Sequence, residues 1–141
     1  MHHLVLSPDV TSLGLTAEAL TTAARERWGS QMFVTGRTGP EVSVEIEVAG
    51  PPHRFTICLS ARGDSAFTDG NWEQAAVVAA WIRSLLPASF PYRVWLVDES
   101  FSGHALLPGG VHADQLADLW VEHAKEGYPP LPGHTPVPRY S

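Results

Sequence analysis

The stretch Asn71–Pro87, NWEQAAVVAAWIRSLLP, with the segments that follow it, YRVWLVDES (Tyr92–Ser100) and SGHALLP (Ser102–Pro108), decides the fold. In the first part Trp72, Ala75, Ala76, Ala79, Ile82 and Leu86 recur at helical spacing and make a wide apolar stripe. Asn71 with Gln74 three residues on is a capping-box spacing, while Pro87 and Pro91 prevent continuation. The alanines let such a helix lie close to a sheet. In Tyr92–Glu99 both faces carry apolar groups, Val94 and Leu96 on one and Trp95 and Val97 on the other, the pattern of an interior strand. Ser100–Gly103 then turns the chain into a return strand, His104–Leu107.

Upstream, the clearest strand is EVSVEIEV, where Val42, Val44, Ile46 and Val48 alternate with Glu41, Ser43, Glu45 and Glu47. Gly50-Pro51-Pro52 leads into HRFTICLS, with Phe55, Ile57 and Leu59 on one side and Thr56, Cys58 and Ser60 on the other, so the pair reads as an antiparallel meander. Gln31–Thr35 reads as a shorter strand before them, and Ala61–Gly70 as a polar loop. A first helix opens with Thr16 as cap and Glu18 at its positive end, and Leu15 can staple onto Leu20. It closes at Gly29 and would bury Leu20, Ala24 and Trp28.

Downstream, a last helix is expected over His112–Glu126, burying Leu116, Leu119 and Trp120 and stopped by Gly127. The expectation is therefore a single α+β domain over residues 1–127. It is a two-layer sandwich with a mainly antiparallel sheet of about five strands, in the order α-β-β-β-α-β-β-α. Residues 128–141, YPPLPGHTPVPRYS, hold five prolines in fourteen positions and are expected to be an extended or disordered tail.

Nine basic against fifteen acidic residues give a formal charge of -6, which repels phosphate backbones and argues against nucleic acid and anionic membranes as partners. The longest apolar run, Ala75–Ile82, is too short to cross a bilayer, and MHHLVLSPDV lacks the features of a signal peptide. The single cysteine, Cys58, excludes an internal disulfide and any multi-cysteine zinc site, which suits a cytoplasmic protein. No dinucleotide, P-loop, CxxC or HExxH pattern occurs, and no cofactor is expected.

Asp98, Glu99 and His104, with Ser102 between them, gather at the expected hairpin and are the candidate catalytic residues, although acidic residues, serine and glycine are also ordinary turn chemistry. His104, His112 and His123 are the candidate metal ligands if the last helix folds back over that hairpin. On that helix Asp114, Asp118, Glu122 and Glu126 fall at i, i+4 spacing and form an acidic stripe, for which solvation and a basic protein partner are the two explanations. Glu41, Glu45 and Glu47 are a second acidic row.

Of five tryptophans, Trp81 lies about a quarter turn from the stripe of its helix. Together with Trp95 it is the candidate for a protein contact. Arg62-Gly63-Asp64 and Pro129–Pro132 are read as turn and tail composition, and Cys58 as packed rather than nucleophilic.

The function these features suggest is a small acidic protein-binding module, of immunity or adaptor type, that engages a basic protein through Trp81, Trp95, Asp114, Asp118 and Glu122. The alternative is a small enzyme or metal-binding protein built on the hairpin cluster. A homodimer with Glu41–Val48 at its edge is the third expectation.

Overall fold

A computed structural model describes residues 2–36 and 40–123, and in it eight strands form one antiparallel sheet. The elements are β1 (His3–Leu6), α1 (Ala17–Trp28), β2 (Met32–Gly36), β3 (Val42–Val48), β4 (Phe55–Ser60), β5 (Ser65–Thr68), α2 (Trp72–Leu85), β6 (Trp95–Asp98), β7 (Gly103–Leu106), α3 (Leu116–Leu119) and β8 (Trp120–Glu122). Their order across the sheet is β2-β3-β4-β5-β1-β6-β7-β8. Among the described residues no helix is long and apolar enough to cross a membrane.

Period-two alternation directs one face of the sheet to the helices. Val5, Val44, Ile46, Val48, Phe55, Ile57, Leu59, Ala66, Leu96 and Ala105 pack there in one cluster with Leu20 and Ala24 of α1 and Ala76, Ala79 and Ile82 of α2. Both helices begin as the sequence indicates. Thr16 accepts from the Ala19 amide, and Asn71 and Gln74 form a reciprocal capping box.

Gln74, 4 % exposed, has a second task. Its Oε1 accepts from the Asn71 amide at 3.0 Å while its Nε2 donates to the carbonyls of Pro51 and His53 at 3.0 and 2.7 Å, so one side chain ties the α2 start to the β3–β4 turn. At the other end of α2 the buried guanidinium of Arg83 donates to the carbonyls of Leu86, Pro87 and Leu107. A cation suits the negative end of a helix.

The α+β class and the antiparallel sheet hold, but the sheet has eight strands rather than about five, the element order differs in three respects, and the expected free edge is paired. β1, HLVL, was not foreseen. The expected loop Ala61–Gly70 contains β5, whose Ser-Ala-Phe-Thr lacks the run of large apolar groups that marks a strand. The expected helix His112–Glu126 is reduced to a 3-10 turn, Ala113–Gln115, and the four residues of α3, after which the chain becomes β8. Pairing with the edge of β7 wins there because it lays Trp120 against Gly103, where a Cβ would meet the indole at 2.5 Å. Finally, β3 is paired on both sides, by β2 and β4, so Glu41–Val48 offers no edge to a second copy. The expected tail at 128–141 lies outside the described residues, as does Glu126.

Gln74→Ala should lower stability by about 2 kcal/mol, since it leaves a helix amide and two loop carbonyls without this partner. Gln74→Glu keeps the cap acceptor but turns an oxygen toward two carbonyls, so it should lose at least as much. Urea unfolding of both variants checks this; a neutral Gln74→Glu would contradict the assigned donor role.

Candidate functional site

The β6–β7 turn is built by Asp98. Its carboxylate accepts from the Ser102 amide at 2.7 Å, from the Ser102 hydroxyl, and from the Ser100 hydroxyl at 3.4 Å. Phe101, buried at the turn, takes a left-handed φ of 54°, which is unfavourable for a non-glycine residue and is held here by the surrounding packing.

The three residues expected to act together are separated by strand alternation. His104 is opposite Val97 in the β6–β7 register, so it shares the Val97 face, and Asp98, one residue on, belongs to the other. Glu99 lies beyond the strand and contacts His2 through both backbone amide and imidazole.

His104 meets a different partner. Its Nδ1 is 2.8 Å from His123 Nε2, and His123 Nδ1 is 2.9 Å from the Phe101 carbonyl oxygen. A carbonyl only accepts, so His123 Nδ1 carries the proton. In neutral His123, Nε2 is then the acceptor, His104 Nδ1 is the donor, and neutral His104 presents a bare Nε2. The ring of His104 stacks on Trp95, centroids 4.2 Å apart and planes within 15°. The chain Phe101 carbonyl, His123, His104 thus fixes one tautomer of a half-buried base, as an orienting group does for a catalytic histidine. Burial first, and then the neighbouring His123, hold His104 below its ordinary value.

On the helix-side face His3 sits near Trp72 and Trp120, at centroid distances of 5.8 and 6.4 Å. Its Nδ1 is buried without a hydrogen-bond partner among the described residues, and burial lowers its pKa despite the opposing pull of Asp98. Sequence reading missed His3 because β1 itself was not visible. His112 is apart from the pair: it occupies the start of the 3-10 turn, where its amide donates to Gln115. No group of three or more His, Cys, Asp or Glu side chains among the described residues is placed to hold a metal ion.

Trp81 and Trp95 are both buried. Trp81 meets Trp28 of α1 edge to face at 4.8 Å, a contact that its angle on α2 alone does not reveal. Trp95 lies under His104, and its indole nitrogen has no partner among the described residues. Cys58 is buried with its thiol pushed up to about 12, by burial first and then by the Glu45 carboxylate, to which it donates at 3.7 Å. It carries no thiolate at neutral pH.

Asp114, Asp118 and Glu122 are exposed, the first two on the helical turns and the third on β8. Between α2 and those turns runs a hollow of about 250 Å3, floored by Trp72, Ala76, Val77, Ala113 and Ala117 and flanked by Glu73 and Asp114. Glu73, Asp114 and Asp118 make no ion pair among the described residues. Sequence reading named two of these three. Glu73 is not singled out by the sequence reading.

No protein-family model matches the chain, and neither a comparison with curated proteins nor one with solved structures gave a match.

His3 and His104 both have pKa values held below the ordinary histidine value of about 6.5, so the fold favours their neutral forms. Stability is then fully present above that value and is lost as pH falls from it toward the lower folded values. Urea midpoints should drop between about pH 7.5 and about pH 5.5. A flat or rising profile would sink the assignment.

Proposed function

We propose that this chain is a protein-binding domain that takes a basic, partly apolar segment of another protein into the hollow between α2 and α3. The observation that carries the reading is a set of three exposed carboxylates, Glu73, Asp114 and Asp118, around or next to an apolar floor and without cationic partners among the described residues. A lysine or arginine side chain suits such a surface, with its methylene stem against Trp72 and the alanines and its charge between the carboxylates. The formal charge of -6 steers a basic partner toward it. In its concrete form the domain is an immunity-type or adaptor protein that neutralises or positions that partner, and the reading sets the encounter in the cytoplasm. Trp81 and Trp95 stiffen the framework in this reading rather than touch the partner.

A second reading rests on His104 alone. A bare Nε2 on an imidazole oriented by His123 is what a small general-base enzyme uses, with the hydrogen-bonded proton on Nδ1 fixing the tautomer.

The isotope-labelled full chain titrated with a synthetic peptide of alternating leucine and lysine should show amide shifts at Ala113–Asp118 and an indole shift at Trp72. Reversing the three charges together (Glu73→Lys, Asp114→Lys, Asp118→Lys) should weaken binding roughly tenfold, and added salt should weaken it further. A leucine–glutamate peptide is the control. Shifts confined to other surfaces, or binding untouched by the triple variant, would reject the reading.

A further inference from the structure

A second hollow, of about 540 Å3, opens between the end of α1 and the start of α2. Its apolar lining is Trp28, Phe55, Val77 and the Pro51-Pro52 turn that joins β3 to β4. Trp28 is held edge to face by Trp81 at 4.8 Å and by Phe55 at 6.2 Å, and the turn is fixed by the two bonds that Gln74 donates to its carbonyls. The walls are therefore preformed, and the volume lies in the range of small-molecule sites.

Two charges share this lining. Arg27 lies with its guanidinium 5.3 Å from the centre of the Trp28 ring, and Glu73 enters from α2. Neither makes an ion pair among the described residues. Each has the sign that suits its helix end, Arg27 in the last turn of α1 and Glu73 in the first turn of α2, and this accounts for the signs. It does not account for a cation and a carboxylate that both line one aromatic hollow without a partner there. A guanidinium lying over an indole keeps N–H groups at its edge for a carboxylate, which it takes bidentately. Glu73 is the matching acceptor for an ammonium group, while Trp28, Phe55 and Val77 supply contact area for an apolar body.

We infer that this hollow binds a small zwitterion with an apolar body, of the class of free apolar amino acids: its carboxylate on Arg27, its ammonium on Glu73 and its side chain against Trp28 and Phe55. A simple anion would meet the charge of Glu73 and a simple cation that of Arg27, so a ligand carrying both charges suits the lining better than either. The inference does not rest on the basic-partner reading, although Glu73 and Val77 line both hollows.

The test is a nuclear magnetic resonance titration of the full isotope-labelled chain with L-phenylalanine, carried to about 10 mM because so small a ligand binds weakly. The Trp28 indole and the amides of Gln31, Gly50 and Val77 should shift, while the amides of Ala113–Asp118, which report on the basic peptide, should not. 3-Phenylpropionate and phenethylamine keep the body and lose one charge each, so each should bind about threefold or more weakly than phenylalanine. Glycine keeps both charges and loses the body, and should cause no shift. Arg27→Gln should abolish the preference for phenylalanine over phenethylamine, and Glu73→Gln the preference over 3-phenylpropionate; resonances of β3 and β4 show that each variant stays folded. Equal affinity for the three aromatic probes, shifts confined to other surfaces, or discrimination that persists unchanged in either variant overturns the inference.

Discussion

The whole sheet depends on four residues, His3–Leu6. Strands β2 to β5 form one antiparallel meander and β6 to β8 another, and among the described residues the two are joined by hydrogen bonds only through β1, paired with β5 on one side and β6 on the other. The register has to be the observed one. It sends Val5 into the core under the helices and leaves Leu6 to the small cluster with Trp95, Val97 and Phe101 on the opposite face. A slip of one residue would exchange those faces and turn His3, now beside Trp72 and Trp120, out of its place.

Carboxylates that look alike in the sequence divide into two groups in space. Asp98 is committed to the turn, Asp69 to the Thr56 amide, Asp9 to Arg93 and Glu47 to Arg54. These stabilise the framework, because each satisfies a donor that would otherwise depend on water. Glu73, Asp114 and Asp118 have no ion pair among the described residues and border or adjoin an apolar hollow. That division, rather than the net charge, is what makes a partner surface arguable.

Periodicity made α1, α2, β3 and β4 legible, because each is long enough for its pattern to repeat and each has its capping or turn chemistry in place. The limits of the reading are equally physical. β1, β5 and β8 are three or four residues long, and all three owe their conformation to pairing across the sheet, β1 with strands more than fifty residues away. Leu116, Leu119 and Trp120 have helical spacing, yet Trp120 belongs to a strand, since the space beside Gly103 is available only to a flat ring laid along β7. The site followed the same rule. His104 and His123 were both visible as histidines, but their contact depends on β8, and Asp98 and His104 were grouped by sequence although alternation divides them.

Cys58 has a use in kinetics that comes directly from its surroundings. It stands where β4 is flanked by β3 and β5, opposite Glu45 and Phe67, far across the sheet order from β8. Protonated and buried, the chain's one thiol can react with an alkylating reagent only after the neighbouring side chains uncover it. Its alkylation rate is therefore an internal clock for motion in the longest meander, read far across the sheet from the opposite edge.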